Sequence, residues 1–150
     1  ALRNSSATGA VQFDKLVNSS HPIEVKVNGD TIPIQPDGKI EFGSTNTPKE
    51  NNPDGKSTIT LNTASIKFLA EGIEENSKTG DGAKAYMGDT DVTGMNFKDI
   101  LAATFGEEVE HTTDENISLQ HSGASKEKVE EKPRQVSTQI FNEISQKKKQ

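Results

Sequence analysis

The sequence predicts an α+β domain, with antiparallel hairpins in a meander near the N-terminus, then a motif-bearing helix and a C-terminal helix. Three observations carry that expectation. Period-2 apolar alternation runs from Ile23 to Phe42, apolar residues recur at helical spacing around residues 97–109 and 136–144, and no segment repeats at a fixed period. With strands first and helices last, the two kinds of element segregate along the chain, as they do in α+β folds.

The 150-residue chain has the length of one ordinary domain. Only 29% of its residues are hydrophobic and 5% aromatic, with no Trp, and mean hydropathy is −0.75. Typical globular chains are about 45–50% apolar with Gly counted, so a thin core and long loops are expected. We divide the chain into a linker-like segment at residues 1–20, a single domain at 21–146 and a basic tail at 147–150. Asn4-Ser5-Ser6-Ala7-Thr8-Gly9 reads as linker, and Lys147-Lys148-Lys149 as a solvated, frayed end. The absence of an initial Met suggests a segment of a larger protein, with any export signal upstream.

The hairpins come first. Ile23-Glu24-Val25-Lys26-Val27, Thr31-Ile32-Pro33-Ile34 and Lys39-Ile40-Glu41-Phe42 alternate, separated by Asn28-Gly29-Asp30 and Pro36-Asp37-Gly38, both turn signals. Pro33 places the middle run at an edge or a bulge. Residues 45–56, rich in Asn, Pro, Asp and Gly, form a loop, and Ser57-Thr58-Ile59-Thr60-Leu61-Asn62 returns as a strand. Ile66, Leu69, Ala70 and Ile73 then suggest a short amphipathic helix over 64–73, before a polar and mobile stretch at 74–93.

Asn96 with Asp99 three residues later is a variant capping box opening a helix over Phe97–His111, whose Phe97, Leu101, Phe105 and Val109 form a buried stripe. A polar link follows at 112–132. Pro133 then stands at a helix-starting position ahead of Val136, Ile140, Phe141 and Ile144.

Composition excludes several chemistries. Without Cys there is no disulfide, Cys-ligated zinc or thiol nucleophile. A net charge of −6 and pI near 5.1 argue against general nucleic-acid binding, which relies on clustered Lys and Arg. The longest apolar run, Ile100-Leu101-Ala102-Ala103, is far short of the roughly 20 residues that span a bilayer, so no membrane partner is expected. Thr79-Gly80-Asp81-Gly82 lacks the lysine and setting of a phosphate loop, and no Ser-centred nucleophile elbow occurs. A di-iron site would need a second Glu-x-x-His besides Glu108-x-x-His111, and there is none.

The helix ending Glu107-Glu108-Val109-Glu110-His111 is the best candidate for chemistry. At about 100° per residue, Glu107 and His111 lie about 40° apart on one face, roughly opposite Val109. In H-E-x-x-H the middle Glu is the base that acts on metal-bound water; here Glu107 stands in the first His position. An acidic helix end that is merely solvated is the bland alternative. For a third ligand, Glu131 ahead of the last helix is favoured over Glu143 at the edge of its stripe, although 126–132 is also a plain charged run. His21, before Pro22, reads as structural or exposed, and His121 lies in a polar loop at 118–125.

The segment from Ala102 to Asn116, Ala102-Ala103-Thr104-Phe105-Gly106-Glu107-Glu108-Val109-Glu110-His111-Thr112-Thr113-Asp114-Glu115-Asn116, resembles the zinc-metallopeptidase-like toxin domains at the C-termini of large Rhs and contact-dependent growth inhibition proteins. The strand before the helix and the Glu-Lys-Pro element before a last helix follow the same order. The resemblance implies zinc held by residues 107 and 111 and a downstream group such as Glu131, with Glu108 as catalytic base. It also implies a peptide or protein substrate, a cognate immunity protein, and secretion or delivery into a target cell as part of a larger protein. Glu107 in place of His weakens or abolishes that site, and a substitution made to silence a toxin would account for one departing position. The alternatives are a nuclease toxin of the same delivery systems, or a non-enzymatic structural or interaction domain of a surface or phage protein.

Overall fold

In a computed structural model, which describes residues 1–52, 55–79 and 83–150, the chain adopts the expected α+β class. Among the described residues eleven elements follow one another: α1 (Leu2–Ser5), α2 (Ala7–Val17), β1 (Ile23–Val27), β2 (Gly43–Asn46), β3 (Ser57–Leu61), α3 (Thr63–Ser77), β4 (Tyr86–Met87), β5 (Thr90–Asp91), α4 (Phe97–His111), α5 (Asp114–His121) and α6 (Lys126–Lys148).

The main sheet has the order β1-β3-β2. β3 sits in the middle and carries alternating buried residues, Ser57, Ile59 and Leu61. β2 pairs with it antiparallel, whereas β1 pairs with it in parallel, Val25 opposite Ile59. The expected meander is therefore replaced by a longer-range pairing. Asn28-Gly29-Asp30 does not reverse the chain as a hairpin turn, because the Asn28 side-chain oxygen accepts from the Asp30 and Thr31 N–H groups and closes a local turn. Of the two other expected strands, a tight turn remains, with a single bridge between Ile34 and Ile40 and Gly38 at φ +85°. The predicted loop at 45–56 begins two residues late, since Thr45 and Asn46 belong to β2; residues 53 and 54 of it, and 80–82 of the stretch that lacks phosphate-loop features, lie outside the described residues.

α4 is the axis of the molecule. It packs on α6 above all, and also on α1, α2, α3, β2 and β3. Its bounds are those the capping box predicts, and both reciprocal hydrogen bonds of the box form, Asn96 Oδ1 accepting from Asp99 N–H and Asp99 Oδ2 from Asn96 N–H. Because neighbours surround it, burial is not confined to one stripe. Ile100, Ala102, Ala103, Thr104, Gly106 and Val109 are buried, while Phe97, Leu101 and Phe105 are half-buried.

Three stretches that the sequence presents as irregular carry regular elements among their described residues. Residues 1–20 form α1 and α2, with Leu2 and Gln12 buried. Gln12 Nε2 donates to the Gly106 carbonyl, and Lys15 pairs at 2.9 Å with the buried carboxylate of Glu110. The segment is helical and docked on α4, where the buried Glu110 carboxylate accepts from Gln12 and Lys15. The stretch at 74–93 holds the end of α3 and the β4–β5 hairpin and leads into fully buried Val92. The polar link at 112–132 is α5 followed by the first turns of α6, which opens at an N-cap on Ser125 and runs through Pro133.

Candidate active site

An open cleft of about 670 Å³ lies between the turn at 34–40, strand β2, the C-terminal half of α4 and the N-terminal half of α6. Glu107, Glu108 and His111 line it together with Glu130 and Arg134 of α6 and Gly43–Thr45. α4 and α6 place these groups because their apolar faces are packed against each other, leaving one flank of each helix open to the cleft.

Glu108 is held most firmly. The residue is 5% exposed, and Thr45 Oγ1 donates to Oε1 at 2.8 Å. Gly43 makes that approach possible, since a Cβ there would stand 2.9 Å from Thr104 Cγ2 and 3.0 Å from Glu108 Cγ. Burial pushes Glu108 up to about 7, against the opposing effects of His111 and the Thr45 bond. Glu107 rises further, to about 8, through burial and then the neighbouring charges of Glu108 and Glu130. At neutral pH Glu107 therefore keeps its proton and Glu108 is close to half-ionised.

His111 Nε2 meets Glu130 Oε2 at 3.2 Å. Burial disfavours the charged ring, but the bond to Glu130 and the charges of Glu108, Glu130 and Glu107 outweigh it and raise its pKa. That same bond lowers Glu130, overcoming the cost of its burial. The four groups are coupled through their charges, and His111 and Glu130 share a hydrogen bond.

The sequence-predicted residues divide. Glu107, Glu108 and His111 come together, whereas Glu131 does not join them: it is exposed and lines a separate, shallow surface with Glu127 and Gln135. Adjacent residues on a helix point about 100° apart, and α6 turns Glu130 inward and Glu131 outward. Helical phase carried back from Val136 and Pro133 is the signal that separates them. Glu143 lies elsewhere, accepting from Thr8 N–H and Oγ1 at the start of α2. His21 bonds Ser57 Oγ at 2.7 Å and His121 bonds the Pro48 carbonyl at 3.0 Å, both away from the cleft. Thr45, Gly43 and Arg134 are site residues with no signal in the sequence read on its own, since their roles depend on β2 reaching α4 and on the phase of α6.

Among the described residues, no three His, Asp or Glu side chains are disposed to hold a metal ion. A carboxyl that is protonated at neutral pH occupies position 107, and the ring of His111 is engaged by Glu130. As they stand, these residues do not fit a zinc site.

No family model, curated protein or solved structure matches the chain. No helix is long and apolar enough to cross a membrane, among the described residues.

Proposed function

We propose that the cleft is the hydrolytic site of a toxin effector domain of the zinc-metallopeptidase type, impaired in this sequence by Glu107. The observation that carries this reading is the convergence of Glu107, Glu108 and His111 of α4 with Glu130 of α6 beneath an outer strand, β2. Glu108 is the proton acceptor for the attacking water. A base with a pKa near the working pH is effective, and the Thr45 bond fixes its orientation. Glu130, not Glu131, takes the place of the third ligand in this reading.

The substrate is a peptide. The β3 ladder takes Phe42 and its alternate neighbours, as the bond from Asn62 N–H to the Phe42 carbonyl fixes, so the backbone groups of Gly43 and Thr45 point outward from the sheet and can receive an extended chain. Asp37, Glu41 and Glu130 stand beside Lys39, Lys126 and Arg134 around the cleft, so it offers no excess of Lys and Arg to a polyphosphate backbone, and the nuclease alternative draws no support from its charge. Delivery as part of a larger secreted protein and capture by an immunity protein belong to the same proposal.

The test is zinc calorimetry on this chain and on Glu107→His, with metal content checked by mass spectrometry. Peptide hydrolysis is then assayed for Glu107→His and for Glu107→His with Glu108→Gln. One-to-one zinc binding that strengthens in the His form, with hydrolysis that the Gln change removes, supports the proposal. No zinc binding in either chain overturns it and leaves a non-enzymatic interaction domain.

A further inference from the structure

β1 is the outer strand on the side of the sheet away from the cleft, and among the described residues it pairs with β3 alone. Its ladder uses the even-numbered residues. Asn28 N–H donates to the Leu61 carbonyl and the Pro22 carbonyl accepts from Ser57 N–H, both at 2.9 Å, and the alternation of a parallel ladder gives β3 the backbone groups of Glu24 and Lys26 as well. The N–H and C=O groups of Ile23, Val25 and Val27 therefore point outward from the edge. Among the described residues no other backbone group bonds to them.

Val25 and Val27 are 40% and 66% exposed, although their register partners Ile59 and Leu61 are buried. The apolar face of the sheet thus runs past its helix cover at β1. An open edge with exposed apolar side chains is a template for pairing with another strand.

We propose that this edge pairs antiparallel with the same edge of a second copy of the chain, centred on Val25. Ile23-Glu24-Val25-Lys26-Val27 is complementary to itself about that centre. Val25 meets Val25 and Ile23 meets Val27 at hydrogen-bonded positions, which are the residues whose backbone groups face outward. Glu24 meets Lys26 of the second copy, and the reverse, at the non-hydrogen-bonded positions where side chains approach most closely.

Other registers are worse. Centring on residue 24 or 26 sets Glu24 against Glu24 or Lys26 against Lys26, and centring between residues pairs inward with outward backbone groups. The present partners of Glu24, Lys26 at 3.5 Å and Lys56, are exposed pairs of little worth and leave it free to re-pair. A five-residue edge buries less than the roughly 1,200 Å² of a stable interface, so the dimer is weak and concentration-dependent. β2 and the cleft lie at the opposite edge and stay open.

Sedimentation velocity from micromolar to millimolar concentration tests this, on the unchanged chain and on Glu24→Lys, Lys26→Glu, the double swap and Val25→Pro, with far-ultraviolet circular dichroism reporting the fold. Proline at Val25 removes an outward N–H that no intrachain bond uses, so β1 tolerates it. The unchanged chain is expected to dimerise, each single swap to weaken association roughly tenfold or more by setting like charges opposite, the double swap to restore it, and Val25→Pro to abolish it. A monomer throughout the range overturns the proposal, even if the edge then takes a strand from another protein. Association that the single swaps and Val25→Pro leave unchanged overturns it equally, by placing the contact on another face.

Discussion

Glu130 Oε2 stands 3.2 Å from His111 Nε2, while its neighbour Glu131 is exposed on the other side of α6. The pair shifts both partners towards their charged forms. Glu130→Gln removes the charge and the carboxylate acceptor, leaving Glu108 and Glu107 alone to oppose burial, and His111 is expected to titrate at lower pH than in the unchanged chain. Glu131→Gln leaves the ring unchanged. Titration of the imidazole signals by NMR checks both, and equal effects of the two substitutions would contradict the assignment of Glu130.

The two raised carboxyls give stability a defined pH dependence. Glu107 and Glu108 bind protons more tightly folded than unfolded, with pKa values near 8 and 7 against 4.5. Their contribution is complete below about pH 4.5 and is lost as pH rises through about 7 to 8, because the folded chain then holds buried charge that the unfolded chain solvates. The raised His111 contributes in the same direction; Glu130, lowered, works oppositely at acid pH. Glu107→Gln keeps the volume without the charge. It should raise stability by roughly 4 kcal/mol at pH 8.5 and by less than about 1 kcal/mol at pH 5, a tenfold change in proton affinity being worth about 1.4 kcal/mol. Urea unfolding at the two pH values is the measurement, and a gain that is equal at both would contradict the proton linkage.

Contact between β2 and α4 sets the state of Glu108. Thr45→Val removes the hydroxyl donor that favours the charged carboxylate, so the Glu108 pKa should climb above its value near 7, while Thr45→Ser preserves it. Gly43→Ala acts by volume, since the added Cβ meets Thr104 and Glu108 at about contact-limiting distance, and should cost about 1–3 kcal/mol. Carbon-13 NMR of the Glu side-chain carboxyl separates the two effects. If Thr45→Val leaves the titration in place, the hydroxyl does not govern the base.

How much of the fold and the site is legible in the sequence depends on the range of the forces involved. α4 can be read to the residue because its start is decided locally, by Asn96 and Asp99. The apolar stripe of α6, Val136, Ile140, Phe141 and Ile144, is equally plain and is buried. The pairing of β1 is not legible, because a parallel ladder with β3 is decided by which strand is nearest after collapse and not by the turn that follows β1. Ser and Gly content disguises α2, yet Ser6 caps it by accepting from Gly9 N–H, and its polar Gln12 and Lys15 are buried or paired against α4. At the site, Glu107, Glu108 and His111 share one helix, so local periodicity finds them together. Glu130 is hidden because a proline at 133 reads as the start of α6, when the helix begins seven residues earlier at Lys126.

The continuity of α6 through Pro133 has a physical cause with a testable consequence. Pro133 has no N–H for the carbonyl of Val129, four residues earlier, and an interior proline commonly breaks a helix. Here Asn116 of α5 takes the vacant acceptor, its Nδ2 donating to the Val129 carbonyl at 3.0 Å, and the helix continues from Lys126 to Lys148. Asn116, 2% exposed, thus satisfies the carbonyl that Pro133 leaves without a helical donor, on the turn that carries Glu130. Asn116→Leu leaves that carbonyl unsatisfied and should cost about 1–3 kcal/mol. In a Pro133→Ala background the new N–H at 133 reaches the Val129 carbonyl itself, so the same Asn116→Leu change should cost much less. A double-mutant cycle by urea unfolding measures the difference, and the loss of the His111–Glu130 contact in Asn116→Leu alone, read from the imidazole titration, would tie the helix repair to the site. Equal costs in the two backgrounds would mean that Asn116 acts elsewhere and that α6 tolerates Pro133 without it.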